Sequence, residues 1–498
     1  MVKIICLSSL PHVATTTLAG NSGNNTLNAS GLESSLVQGF GGNDTITLAR
    51  VDDDAQAGAG NDTIGLTKSG THVNLVEGGA GNDSITFYSA NVFTNTVKAG
   101  EGADLITIGV AGDTDLVSQA QIAGNQGADT ITFGSGARTI VSSYVGLGQG
   151  NDSLYIGSGA TFSTSDAFAG KDADTINLVG VAGTTSTVNG GQGNDLLLLK
   201  KSTLSAAKIG AGQGADSINL GTGGSTLLGS LSGGGGADTI TIGTSLSGLK
   251  IYGDTHGVTT AGTVDGADSI GTTGATIGTA SIYGAGGADT IKIKGGTGFI
   301  NGGDGADSIY LGGSAADLSV NGGAGADILK VATALDARTG LATLNGGAGN
   351  DTLVFAGSAV STAALLSTNT TMNLFVAGAA SGDQIQLATT SLVYTSAAAN
   401  WLTSVAAVYV AASSTKLSAA FATTAAKGSV AVYSDGTDTV FGVMSDATGK
   451  YYKIFVKGVD LVTTTKTGAA VTYSSANFGF TLAQVDDTNN SGLSITIN

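Results

Sequence analysis

Fifteen aspartates recur in one local setting along this 498-residue sequence: Asp44, Asp62, Asp83, Asp104, Asp129, Asp152, Asp174, Asp195, Asp216, Asp238, Asp268, Asp289, Asp307, Asp327 and Asp351. Each closes a glycine-rich turn such as Gly78-Gly79-Ala80-Gly81-Asn82-Asp83, and successive copies lie 18 to 30 residues apart. A carboxylate supplies hard anionic oxygens, while glycine allows positive φ and lets carbonyl oxygens converge where a Cβ would obstruct them. That is a donor set for a hard cation. Ca²⁺ takes six to eight oxygens at about 2.3–2.6 Å, more than one turn offers, so two stacked turns must share an ion. Without a cation, a stacked column of carboxylates repels itself; with Ca²⁺ between the turns the same column becomes the ligand set. For any single copy the plainer reading is a tight turn, which Gly and Asp favour anyway. The register of all fifteen is what argues for the cation.

That register extends beyond the turn. Two residues after each Asp stands Ile or Leu, from Ile46 and Ile64 to Leu353; four residues after it the side chain is apolar in every copy except Thr272. Seven residues before it stands an aliphatic residue, such as Val37, Val76, Val97, Ile122, Val188, Ile209, Ile282 and Leu344. Side chains two apart share one face of a strand, so each repeat reads as a strand entering the turn, a strand leaving it, and a looser return loop. One such unit cannot bury its apolar face alone. Stacked at about 4.8 Å, the units bury it against one another as a parallel solenoid with an aliphatic interior.

The turns at Gly78–Asp83, Gly190-Gly191-Gln192-Gly193-Asn194-Asp195, Gly322-Gly323-Ala324-Gly325-Ala326-Asp327 and Gly346-Gly347-Ala348-Gly349-Asn350-Asp351 resemble the repeats-in-toxin (RTX) nonapeptide, Gly-Gly-x-Gly-x-Asp-x-Leu/Ile-x. The resemblance spans about residues 36–357 and implies a parallel β-roll with several Ca²⁺ ions between successive turns. It places the ligands at the Asp side chains and at turn carbonyls such as those of Gly78, Ala80, Gly81, Gly190, Gln192, Gly193, Gly322, Ala324, Gly346 and Ala348. This sequence has one motif per coil rather than two, which implies calcium on one edge and an ordinary loop on the other. Two turns are degenerate. Lys171 sits inside the turn ending at Asp174, and a long insertion containing Gly253-Asp254-Thr255-His256 precedes Asp268. Calcium is expected to be lost first there.

Composition narrows the function. Gly accounts for 81 residues and Pro for one, charged residues for 11%, and apolar residues for 41%, which fits neither collagen nor charged disorder. A net charge of −17 disfavours nucleic acid and anionic membranes as partners and favours cations. Cys6 is the single cysteine, so no disulfide framework exists. No apolar run is long enough for a transmembrane helix. His12, His72 and His256 lie far apart in the sequence and in no His-Glu-x-x-His pattern, and no nucleophile elbow or Walker loop occurs in its proper setting. With repeats starting near residue 36, no room is left upstream for a catalytic domain, and the chain is not expected to be an enzyme.

The ends read differently from the middle. Residues 1–35, opening Met1-Val-Lys-Ile-Ile-Cys-Leu-Ser-Ser-Leu10, fall short of a secretory signal peptide and read as a cap or first strands. After residue 357 composition shifts to Ala, Thr, Ser and Val. Short helices are expected around 400–408 and 416–422, and strands over 430–443 and 451–456, giving a smaller β-rich C-terminal domain over 358–498. Its segments Ser381-Gly-Asp383-Gln-Ile385, Asp438-Thr-Val-Phe441 and Lys457-Gly458-Val459-Asp460-Leu461 are similar to the C-terminal domains of RTX proteins exported by type I secretion. The resemblance implies an uncleaved export signal and a chain that folds on Ca²⁺ outside the cell. The expected function is a structural protein that assembles with itself into a surface layer (S-layer) or extracellular matrix. The alternative is an adhesin or fibre that binds glycans or cell surfaces.

Overall fold

The structure is a computed structural model. It describes residues 3–4, residues 16–355 apart from loop positions 33, 51, 68–74, 89–90, 94, 110–115, 137, 222–225, 244–245, 255–264, 273–275, 313–317 and 332–342, and the strands beyond 355. Among these there is no helix. The chain divides into two compact units, 1–264 and 265–498.

In the first unit, strands entering the turn pair in parallel, coil upon coil: Val76 faces Val97, Val97 faces Ile122, Ile122 faces Val145, and so on to Leu231. Strands leaving the turn form a second parallel sheet, in which Ile46, Ile64, Ile85, Ile106, Ile131, Leu154 and Ile176 align in one inward column. All of these are at most 1% exposed. Alternation explains the pattern: in Ser84–Phe87, Ile85 and Phe87 point in while Ser84 and Thr86 point out. Burying each inward Ile, Leu or Phe contributes about 1.5–3 kcal/mol, and stacking supplies the neighbours that a lone coil lacks.

The return segment is not the loose loop expected from the sequence. Strands Asn91–Phe93, Leu116–Ser118, Thr139–Val141, Thr161–Ser163 and Ala182–Thr184 pair in parallel and add a third face. In the next coils this strand and the entering strand run together as Thr203–Gln213 and Thr226–Gly235. Val117, Ile140, Phe162 and Leu204 point inward from it and are buried. The corner between return and entering strands is made by residues of positive φ: Gln119 (54°), Ser142 (52°), Thr164 (47°), Thr185 (53°) and Ala206 (52°). Behind it lies a buried serine column. Ser143 Oγ accepts from the Ala120 N–H at 3.2 Å, and Ser165 Oγ accepts from the Ser143 N–H at 3.1 Å. The edge away from the aspartates is thus an ordered polar corner in these coils.

The parallel ladder also begins before residue 36. Thr16–Ala19 pairs with Ser35–Gly41, and Thr26–Asn28 pairs with Thr45–Leu48, so a full coil occupies most of the segment read as a cap. The short strand Lys3–Ile4 runs antiparallel to Thr16–Ala19. Cys6 and the three histidines lie outside the described residues.

The second unit has two parallel sheets of the same kind, one of Ser281–Gly286, Phe299–Asp304, Ser319–Ala324 and Thr343–Ala348, the other of Ser269–Thr272 to Thr352–Phe355. The ladder continues past 357: Thr343 faces Phe375 and Thr352 faces Gln384. Val430–Ser434, Thr439–Met444 and Tyr451–Val456 form an antiparallel meander where strands were expected. The helix expected to end at Val408 meets a strand instead, Ala407–Val410, with the rest of both expected helices outside the described residues.

Candidate calcium edge

The turn backbone creates the site. At Gly79 φ is 120° and at Gly81 it is 121°, and a Cβ on Gly79 would meet the Gly58 carbonyl oxygen of the preceding coil at 1.9 Å. Both turn positions therefore hold positive φ, which favours glycine. Where another residue stands there it accepts the same conformation, as Phe40 (73°), Asn125 (84°), Asp172 (73°) and Ala285 (86°) do.

This geometry stacks the aspartates. In the first unit the N–H of Asp44 donates to Asp62 Oδ1 at 2.6 Å, Asp62 to Asp83 at 2.7 Å, Asp83 to Asp104 at 2.7 Å and Asp104 to Asp129 at 2.9 Å. The series continues through Asp152, Asp174, Asp195 and Asp216 to Asp238. In the second unit it runs from Asp268 through Asp289, Asp307 and Asp327 to Asp351. A second ladder of the opposite sense borders the first: the Asn43 N–H donates to Asn24 Oδ1, Asn61 to Asn43 and Asn82 to Asn61, at 2.8–2.9 Å.

All fifteen aspartates are at most 3% exposed. Only one carboxylate oxygen of each is used by the ladder. The other, Oδ2, is buried without a hydrogen-bond partner at Asp44, Asp62, Asp83, Asp104, Asp129, Asp152, Asp174, Asp195, Asp216, Asp307 and Asp327. Burying a carboxylate oxygen with no counter-charge is costly, and the protonation equilibria register it. Loss of hydration pushes the carboxyls of Asp83, Asp152, Asp174 and Asp238 up to about 7, and those of Asp129, Asp216 and Asp327 to about 6. Neighbouring aspartates push in the same direction; the donated backbone N–H groups pull back only partly.

The donor set fits a calcium ion. A Cβ placed on Gly78 would lie 2.4 Å from both Asp83 Oδ2 and the Ala99 carbonyl oxygen, one coil further on. The same convergence occurs at Gly190 (Asp195 Oδ2 2.4 Å, Ala211 O 2.2 Å) and Gly322 (Asp327 Oδ2 2.4 Å, Gly346 O 2.2 Å). An orphaned carboxylate oxygen and a carbonyl of the next coil thus face one side-chain-free cradle. Among the described residues no three His, Cys, Asp or Glu side chains cluster as a metal site, so the remaining oxygens must be backbone carbonyls, which calcium accepts and transition metals rarely favour. Burial raises the Asp307 carboxyl, and Asp304, a further carboxylate in the same turn, adds to that rise.

The degenerate turns keep the column intact. Asp174 is 2% exposed and bonded on both sides, while Lys171 and Asp172 point to solvent and Asp172 Oδ2 accepts from the Gly150 N–H at 3.1 Å. Asp268 is 2% exposed, with Asp265 exposed beside it. Two residues of this edge were not legible in the sequence. Asn25 occupies the aspartate position of the first coil, its N–H donating to Asp44 Oδ1 at 2.7 Å; the signal was Gly20-Asn-Ser-Gly23-Asn-Asn25-Thr-Leu27. Asp254, 3% exposed, lies in register with the turn glycine Gly234 and adds to the rise that burial causes in the Asp238 carboxyl.

A family model described as RTX calcium-binding nonapeptide repeat (4 copies) matches residues 70–86, 121–140 and 342–357. No curated protein matches the chain. Among solved structures, one similar chain is a hyperactive, Ca²⁺-dependent, β-helical antifreeze protein from an Antarctic bacterium, 23% identical, covering 67% of this chain and 84% of that one with a TM-score of 0.36. With the stacked Asp turns and these repeat matches, the chain carries RTX-type calcium-binding repeats within an all-β solenoid that binds multiple Ca²⁺ ions.

Proposed function

We propose that this chain is a secreted, non-catalytic structural protein that winds up on calcium outside the cell and packs laterally into a surface layer or extracellular matrix. RTX repeat proteins are typically secreted and extracellular, where calcium modules bind at about 10⁻⁴–10⁻³ M. Since ion binding is coupled to folding, a chain with vacant sites before export gains its stability afterwards. No motif for nucleophilic or metal-assisted hydrolysis stands in the sequence beside the repeats.

The observation that carries the assembly reading is the outward face of the sheet leaving the turns. In the first unit, from Thr26 through Thr45, Thr47, Thr63, Thr86, Thr107, Thr130 and Thr132 to Thr241, its outward positions hold Thr, Ser, Asn, Gly, Leu and Tyr, and none is charged. In a chain of net charge −17, a regular sheet face without charge is where two copies approach with least repulsion. Calcium titration of the chelator-treated chain, followed by circular dichroism and light scattering, tests the reading. Strand signal should appear first and large assemblies second, and Thr107→Lys with Thr132→Lys should block the second step only. A calcium-folded chain that stays monodisperse at high concentration sinks the lattice.

The adhesin reading is favoured by a different feature, on the opposite sheet.

A further inference from the structure

We propose that the groove where the entering strands meet their turns at Gln126, Gln149, Lys171 and Gln192, together with the Tyr144–Phe168 pair beside it, binds an extended, neutral pyranose polysaccharide. This deepens the adhesin reading and rests on the calcium-folded solenoid, not on the lattice.

The sequence clears the floor of the groove. Gly148 and Gly170 hold the turn-glycine position that most coils share, and the strand Tyr144–Gln149 adds Gly146 where the adjoining coils carry Ala123 and Phe168. The resulting groove, about 560 Å³, has Gly148 and Gly170 in its floor and Gln126, Gln149, Lys171 and Gln192 along its rim. Those four rim residues occupy the same turn position in successive coils, are all exposed, and stand in register: Gln126 opposite Gln149, Gln149 opposite Lys171, Lys171 opposite Gln192.

Beside the groove the aromatic pair lies on the sheet. A Cβ on Gly146 would meet the Tyr144 ring at 2.9 Å, so the ring lies over that glycine instead of standing off the strand. Its centroid is 5.7 Å from that of Phe168, with 29° between the planes, and Tyr144 remains 46% exposed.

The chemistry selects the occupant. Carboxamides both donate and accept, as sugar hydroxyls do. The electron-rich face of an exposed ring attracts the polarised C–H face of a pyranose. The rim groups repeat at the strand spacing of about 4.8 Å, comparable with one sugar unit of an extended chain. Peptide addition to a strand edge is unavailable, because Tyr144–Gln149 is already paired on both sides. Lys171 is the one charged residue of the lining, with Asp172 next to it in the turn and Asp166 opposite Tyr144, so charges of both signs are interspersed and hydroxyl chemistry decides.

The test is native affinity electrophoresis of the calcium-saturated full chain through gels containing hydroxyethylcellulose, xylan, galactomannan or dextran, with hyaluronan as the anionic comparison. At least one neutral polysaccharide should retard the protein. Tyr144→Ala with Phe168→Ala, and separately Gln149→Ala, should weaken that retardation about tenfold or more, as expected of central aromatic and polar anchors. Thr161→Ala, on the return strand of the coil that carries Phe168 and so on a different face, should leave it unchanged. Circular dichroism of each variant in calcium separates a lost fold from a lost groove. The proposal is overturned if no neutral polysaccharide retards the folded chain, if only hyaluronan does, or if the double variant is retarded as the parent is.

Discussion

The Asp62 N–H donates to Asp83 Oδ1 at 2.7 Å, which leaves Asp83 Oδ2 buried against the cradle at Gly78 with no hydrogen-bond partner. One carboxylate thereby has two separable duties. Oδ1 joins two coils whether or not calcium is present, and Oδ2 is satisfied only when a cation or a proton arrives.

Asp83→Asn separates those duties. The amide oxygen can still accept the Asp62 N–H, as Asn25 shows the aspartate position tolerates an amide in the first coil. The negative charge is gone. In chelator at pH 8 the variant should be at least as stable as the parent, because an uncompensated buried charge has been removed. In calcium it should be less stable and bind fewer ions. Asp83→Ala loses both duties and should be destabilised in both conditions, by about 1–3 kcal/mol in chelator from the unsatisfied N–H. Denaturant titrations with and without calcium check the pattern; Asp83→Asn less stable than the parent in chelator contradicts it.

Stability without calcium should fall as pH rises. The carboxyls of Asp83, Asp152, Asp174 and Asp238 stand near 7 in the folded chain against an ordinary value of 3.8. Between those values the folded chain binds more protons than the unfolded one, so the unfolding free energy decreases with pH. The proton-linked stability is fully present below about pH 4 and is lost as pH rises through about 7. Calcium competes for the same oxygens, so its affinity should rise over that window. Thermal melts in chelator at pH 5 and pH 8 should give the higher Tm at pH 5, and calcium should raise Tm more at pH 8. A higher Tm at pH 8 in chelator contradicts the protonation account.

How much of this was legible in the sequence depends on how many side chains each element spends. The entering and leaving strands each commit buried residues at fixed offsets from an Asp, as Val76, Ile85 and Phe87 do around Asp83, and repetition exposes them. The return strand commits one inward residue per coil, such as Val117, Ile140 or Phe162, and a three-residue strand gives no alternation to read. Its corner is marked by Gln119, Ser142 and Thr164 in positive φ rather than by glycine, so nothing in residue type announces a turn. Asn25 carries no carboxylate to mark it, because the first member of the ladder gives only its backbone N–H to Asp44 while its own Oδ1 accepts the local Asn21 N–H. The groove at Tyr144 depends on a ring lying across Gly146, an orientation that register alone does not specify.

Phe162→Ala tests whether the return strand is part of the core. Its ring is fully buried, in register with Ile140, and the Ser186 hydroxyl donates to its carbonyl at 3.0 Å. Truncation should cost about 3–5 kcal/mol in calcium-loaded protein, the usual price of an aromatic core cavity. A loose return loop would lose little, so a change below about 1 kcal/mol, within the ordinary range of surface substitutions, removes the third face from the folded core.

Gly79→Ala tests the turn backbone independently of any carboxylate. Alanine there must hold φ near 120° while its Cβ meets the Gly58 carbonyl oxygen at 1.9 Å, so both conformation and contact oppose it. The neighbouring position is Ala80, where no positive φ is required of the residue. Holding a non-glycine residue in that region costs about 1–3 kcal/mol, before the clash with the carbonyl is counted. Because the Gly58 carbonyl belongs to the preceding coil, the damage should spread between coils rather than remain in one turn. Gly79→Ala should therefore lower the cooperativity of calcium-induced folding as well as its midpoint stability, while Ala80→Gly changes either only slightly. Circular dichroism across a calcium titration distinguishes the two: equal curves for both variants would mean that the turn backbone does not control inter-coil spacing.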